Sequence, residues 1–301
     1  MIYRNERFLE YKQSDLVPEL SYLDDMTAED IDSLFHEVLS GGIHGFCFGA
    51  FDEEQETVPG GSEKKIRQQL KILQPYTDWI RILSCTGSNA LIPSIAKDLG
   101  LKTLVGARLD NDKTKNEQEI KSLIQLAKGG YVDIAAVGAE VLFQGELDEN
   151  QLLDYIDRVA RQIPSTPVGY VDTYYEFLQR PAIIDACDII LCNCHPFWEG
   201  THFNHSFQHI RQMYYGIRNI ARGKKVIIAE TGWPNGGLPL GEAVPTRNNA
   251  MKYFINTNLW SQDENIDVFY FSSFDQSREV ADKGITDAFW GVWDHDGNLK
   301  Y

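Results

Sequence analysis

Residues 224–237 read KKVIIAETGWPNGG. Val226 to Ala229 are four consecutive apolar residues, the pattern of a strand buried on both faces. Glu230 and Thr231 end the run, and Gly232, Pro234 and the Gly236-Gly237 pair then turn the chain sharply. A carboxylate carried out of a core strand is costly to bury, so it requires a partner or a task. The same apolar, β-branched signature recurs along the chain. Strands are expected at His44–Phe51, Trp79–Ser84, Lys102–Leu109, Asp133–Leu142, Pro167–Tyr174, Ile189–Pro196, Val226–Thr231 and Val268–Asp275.

Amphipathic segments separate these runs. Ser62–Gln74 puts Ile66, Leu70 and Leu73 on one helical face; Asn116–Lys128 does so with Ile120, Leu123, Ile124 and Ala127, and Asp148–Gln162 with Leu152, Ile156 and Val159. Strand then helix, eight times over, gives parallel strands with right-handed crossovers. That count, without a glycine-rich dinucleotide fingerprint, favours an α/β fold of one kind: a single (β/α)8 TIM barrel rather than a doubly wound sheet. No Pro- or Ser-rich linker or charge block divides the chain. Residues 1–43 read as an N-terminal extension whose helical Thr27–Leu39 is expected to cap the barrel bottom, and 44–301 as the catalytic barrel.

The chain has 301 residues and a net charge of −16, which makes duplex nucleic acid and anionic membranes poor partners. A neutral ligand is indifferent to that field. Cys47, Cys85, Cys187, Cys192 and Cys194 are an odd number in mostly apolar surroundings, which favours reduced, buried thiols over a disulfide framework. The first twenty residues, MIYRNERFLEYKQSDLVPEL, hold no apolar stretch of signal-peptide length, and no later run approaches a membrane span. The chain as it stands therefore reads as cytoplasmic; the same sequence with a leader removed would be periplasmic or secreted.

Chemistry in such barrels sits at the C-terminal ends of the strands. Strand four ends in Gly138-Ala139-Glu140, strand five in Asp172-Thr173-Tyr174, strand six in Asn193-Cys194-His195, strand seven in Glu230 and strand eight in Phe274-Asp275-Gln276. Only strands four and seven carry a glutamate inside an otherwise apolar run. One such glutamate is readily a structural ion pair. Two, on nearly opposite strands of one barrel, match what glycoside hydrolysis requires: a protonated carboxyl for the leaving oxygen and an ionised one for the sugar carbon.

ETGWPNGG after KKVII resembles the nucleophile signature of glycoside hydrolase family 17, the β-1,3-glucanases and related glucan transglycosylases. GFCFGAFDEEQETVPGG resembles the family's first-strand motif, DWIRILSCTGSNALIPSIAKDLGLKTLVGA its second and third strands, and VDIAAVGAEVLF its acid/base strand. VGYVDTYYEF, NCHPFWEG, and FYFSSFDQ followed by WGVWDHDGNLKY continue the likeness in order from about Gly42 onward, closest to the bacterial branch. The resemblance implies that Glu230 is the nucleophile and Glu140 the acid/base of a retaining double displacement on β-1,3-glucan, with no cofactor. Water or an acceptor sugar would decide between hydrolysis and transfer.

Three departures stand out. The family's Val-Gly-Asn-Glu is Val137-Gly138-Ala139-Glu140 here, and the resemblance assigns the missing asparagine to the sugar 2-hydroxyl. Gln276-Ser277-Arg278-Glu279 replaces a common Glu-x-Trp-Lys, and His195 stands where a tyrosine is common. A catalytically weakened glucan-binding protein is therefore a rival reading.

Pyranose rings present apolar C–H faces to aromatic side chains. Phe48, Tyr170, Tyr174, Phe197, Trp198, Trp233 and Trp290 are the aromatic candidates for contacting β-glucan, while Asn193, His195 and Asp275 are candidates to orient sugar or carboxylates. Trp79 and Trp260 read as packing. His195, His202, His205 and His209 with Cys192 and Cys194 invite a metal-hydrolase reading, but no helix-face zinc pair is present and His195 points away from the cysteines along a strand. No metal site is assigned.

Overall fold

The computed structural model describes residue 23 and residues 25–49, 61–275 and 286–301. Eight parallel strands close a barrel in sequence order: β1 (Ile43–Cys47), β2 (Thr77–Ile82), β3 (Lys102–Ala107), β4 (Ile134–Ala139), β5 (Val168–Thr173), β6 (Ile189–Asn193), β7 (Val226–Thr231) and β8 (Val268–Tyr270). Each expected strand is present. The expected end of the first, at Phe51, lies outside the described residues, as do 276–279.

Inward-facing side chains fill the barrel: Leu104, Ala136, Val171, Leu191, Ile227, Ala229 and Phe269 form one buried layer. The outward set packs beneath the helices. In α2 (Gly61–Leu73), Ile66, Leu70 and Leu73 are fully buried, and in α6 (Glu149–Gln162) so are Leu152, Ile156 and Val159. Asp148 caps α6 through a reciprocal bond with Gln151, and Asp112 caps α4 (Lys113–Lys128).

Thr27 caps α1 (Ala28–Ser40) in the same reciprocal way with Asp30. Helix α1 lies beside α10 (Arg247–Asp263): Phe35 meets Phe254 at 4.8 Å, and Arg247 bonds Asp32 at 2.8 Å near both helix starts. It thus takes an outer-ring position rather than crossing the barrel bottom. Its apolar face, Ile31, Phe35, Val38 and Leu39, is buried in this position.

Most strands end before their sequence pattern does, and for two of them the structure shows the cause. β4 stops at Ala139 because Glu140 turns left-handed, with φ 56°, and caps the short helix α5 (Val141–Gln144). β8 stops at Tyr270; beyond it the chain bonds to the C-terminal segment, with Ser272 N–H donating to Trp290 O and Asp275 N–H to Trp293 O.

Gly232 marks the closest approach of two strand ends. Phe271 N–H donates to Thr231 O at 2.7 Å, and a Cβ on Gly232 would lie 1.9 Å from Phe271 O. Gly232→Ala should therefore destabilise by about 1–3 kcal/mol, whereas Gly216→Ala, inside α9 (Phe203–Ile220) with nothing near its Cβ, should be neutral or stabilising by up to ~1 kcal/mol. Thermal unfolding of the two variants checks the contrast; equal melting temperatures would contradict it.

Candidate active site

Glu230 is reached by a change of register. Ile227 and Ala229 face the barrel interior and Thr231 faces outward, its hydroxyl 2.6 Å from that of Tyr253 on α10. Strict alternation from Ala229 would instead send Glu230 outward and Thr231 inward. The ladder slips on both sides of it, between Cys192 and Asn193 of β6 and between Ile228 and Thr231 of β7. The slip brings the carboxylate into the mouth of the barrel.

There, Arg81 Nη1 of β2 donates to Glu230 Oε1 at 2.5 Å, and His195 Nε2 lies 3.5 Å from Oε2. Burial pushes the Glu230 pKa up, but the Arg81 charge and the His195 contact outweigh it and hold the group at about 2. Arg81 is itself buried, and Glu230 keeps it firmly charged against that burial.

Glu140 has the opposite character. Burial and the negative charge of Glu230 raise its pKa, against the lowering effect of a 2.8 Å hydrogen bond from Asn193 Nδ2 to Oε1. Asn193 also pairs with Glu230 along the backbone ladder, so its side chain meets one carboxylate while its main chain lies beside the strand that carries the other. The left-handed backbone of Glu140 is held from below. The Tyr170 hydroxyl accepts from Leu142 N–H at 3.0 Å and donates to Asp172, and Asp172 Oδ2 accepts from Phe143 N–H at 3.4 Å. Such a conformation costs of order 1 kcal/mol and persists where its surroundings enforce it.

Several predicted contacts sit elsewhere. Tyr170 is spent on α5 and does not reach the cleft as a free hydroxyl. Asp275 accepts from Lys300 Nζ at 2.6 Å and Gly291 N–H at 2.8 Å, fastening the C-terminal segment. Trp233, expected as a cleft wall, is 1% exposed; its ring packs against Phe197, Phe203 and Tyr253, and its indole donates to Val244 O. Phe197 and Phe48 are buried too, and Tyr174 is buried with its hydroxyl on Glu199. Large rings this close to a closed barrel are drawn into its core because burial stabilises them more than exposure.

Trp290 stands edge-on to His195 at 5.6 Å, and its buried indole N–H meets no acceptor among the described residues. Trp198, half-buried, lies over Trp290 at 5.2 Å and 31°. Ala139 pairs with Val171 at the end of β4, next to Glu140.

Arg81 went unassigned in the sequence, although a cation inside the apolar run Trp79–Leu83 is a readable signal. Asp172, noted in the sequence at the end of strand five, was given no role there because its run ends in polar residues. Of the histidines, His202 caps α9, His209 bonds Thr201 and Glu199, and only His195 meets a glutamate of the site. Among the described residues no three His, Cys, Asp or Glu side chains converge on a metal-sized space, and no helix is long and apolar enough to cross a membrane.

A profile of the BtgE/BtgC glycoside hydrolase domain matches residues 45–291, a span that contains both glutamates and Trp290. The chain belongs to glycoside hydrolase family 17. Among its family 17 relatives, the glucan 1,3-beta-glucosidase of Schizosaccharomyces pombe is 25% identical over 95% of this chain and 94% of that protein. An active-site mutant of Rhizomucor miehei beta-1,3-glucanosyltransferase in complex with laminaritriose superposes with a TM-score of 0.78 at 26% identity, covering 87% of this chain and 96% of that one. An endo-laminarinase from Formosa, at 16% identity and a TM-score of 0.75 over 92% of this chain and 88% of that one, shares the fold.

The opposed shifts of the two carboxyls set the pH dependence. kcat/KM should fall on the alkaline side above the ordinary glutamate value of ~4.3 as Glu140 loses its proton, and on the acid side only as pH approaches about 2. Since the folded pKa of Glu230 is depressed, its contribution to stability is present above the ordinary value and lost as pH falls toward about 2. Arg81→Met should move the acid limb up by roughly one unit or more; a pH–rate profile whose acid limb stays put would remove Arg81 from this role.

Proposed function

We propose that this protein is a retaining glycoside hydrolase acting on β-1,3-glucan by double displacement. The observation that carries the reading is the split environment of the two glutamates: Glu230 held ionised by Arg81, Glu140 held protonated by burial and by Glu230. Glu230 attacks the anomeric carbon as Glu140 gives its proton to the departing sugar oxygen, forming a glycosyl ester on Glu230. The ester carries no negative charge, so the field that raised the Glu140 pKa weakens. Glu140, now an anion, accepts a proton from water, whose oxygen attacks the same carbon and releases Glu230. Two inversions leave the configuration unchanged.

The half-buried Trp198 ring offers its face to a pyranose, and the unmatched Trp290 N–H and His195 Nδ1 offer polar contacts beside the reacting centre. Ala139 supplies none. Hydrogen bonds to the 2-hydroxyl strengthen in the transition state and with substrate distortion contribute several kcal/mol, so the chain should be a slower catalyst than a member with asparagine there. Transfer to an acceptor sugar is the second reading, favoured by the similarity to a glucanosyltransferase.

Incubation with linear β-1,3-, β-1,4- and β-1,6-gluco-oligosaccharides, with product sizing, tests the proposal. Turnover of the β-1,3 series to shorter products supports hydrolysis, and longer products indicate transfer. Glu230→Ala should abolish turnover, and azide should rescue it with inverted product; full activity of that variant would eliminate Glu230 as nucleophile. Ala139→Asn should raise kcat more than it changes KM. Binding of laminarin without reducing-sugar release, even in the Ala139→Asn protein, would instead identify a glucan-binding protein.

A further inference from the structure

The histidine-bearing stretch 195–209 contains a buried histidine–carboxylate contact that the two-glutamate chemistry does not use. His209 Nε2 on α9 lies 3.1 Å from Glu199 Oε2, both side chains 5% exposed. The other ring nitrogen, Nδ1, is 2.8 Å from the Thr201 hydroxyl, and the Tyr174 hydroxyl at the start of α7 (Tyr174–Gln179) reaches Glu199 Oε2 at 3.5 Å. Three separate pieces of the barrel top, the start of α7, the turn 195–201 and α9, therefore meet on one carboxylate. The turn is tight: Glu199 N–H donates to His195 O, Gly200 N–H to Phe197 O and Thr201 N–H to Pro196 O.

A buried polar pair of this kind is poor evidence of stability, because the cost of taking both groups out of water offsets much of what their contact gains. Its position is more informative. Glu199 directly follows Trp198, the half-buried ring of the aromatic cluster, and Thr201 stands two residues further on, whereas Phe197 and Trp290 are already fixed by their own burial. A half-buried indole keeps its orientation only if the backbone beneath it cannot shift, and small displacements of substrate-contacting groups are felt strongly in binding.

We propose that the Glu199–His209 pair, with Thr201 and Tyr174, is a positioning device that holds the Trp198 ring in register with a glucopyranose unit of the bound β-glucan. The inference rests on the reading of Trp198 as a sugar contact. Glu199 and His209 touch no reacting atom; they act through the ring, on the grip of the chain rather than on bond cleavage.

The test is a mutant cycle on a laminari-oligosaccharide, read as KM and kcat separately. Trp198→Ala should raise KM. His209→Leu should raise it about fivefold with kcat within about twofold, and should add nothing further in the Trp198→Ala protein. If His209→Leu does not fold, Glu199→Gln and Tyr174→Phe carry the same comparison. The inference is overturned if the His209, Glu199 or Tyr174 changes multiply the effect of Trp198→Ala, or if they lower the melting temperature and leave KM untouched. A Trp198→Ala protein with unchanged KM would overturn it at its root, by removing Trp198 from the sugar-binding surface.

Discussion

The buried contact between Arg81 and Glu230 organises the mouth of this barrel. Its partners stand on β2 and β7, and neither charge can be left alone out of water without a cost of several kcal/mol. Meeting at 2.5 Å, they make the burial of each tolerable and fix which carboxylate of the site is ionised. The consequence spreads to Glu140. The negative charge of Glu230 works with burial to raise the Glu140 pKa. The division of labour between two chemically identical side chains thus follows from which of them has the arginine.

Around this pair, the polar groups of the barrel top act mainly on backbone and carboxylates. Asn193 donates to Glu140, Tyr170 and Asp172 hold the left-handed turn from which Glu140 projects, and Asp275 with Lys300 fastens the segment bearing Trp290. Behind them Trp233, Phe197 and Tyr253 form a packed aromatic layer under the turn that follows Glu230. A site so supported spends little freedom when substrate arrives, which is the usual basis of electrostatic preorganisation. The place where support is thinner is Ala139, a methyl group beside Glu140.

Much of this was legible from residue pattern. Eight apolar runs separated by amphipathic segments led to a barrel, because strand and helix periods differ and burial enforces both. Glu140 and Glu230 were conspicuous because a carboxylate in an apolar strand is rarely idle. The aromatic residues were harder. Trp233 close after Glu230 looks like a cleft wall, yet its ring turns inward, since the Gly232 turn packs against Phe271 and leaves the indole facing Phe203 and Tyr253. Helix α1 was visible, but not its place beside α10, which depends on a neighbour more than two hundred residues away.

The sequence by itself determined the fold class, the strands, and the two carboxylates, because these follow from local periodicity and from the cost of burying charge. Tertiary structure alone decided where those carboxylates point and what they meet. Strict alternation along β7 would turn Glu230 away from the interior, and only the slip of both neighbouring ladders brings it round to Arg81. Register between strands is a long-range property, set by how eight strands share one closed cylinder. No single run of residues encodes it.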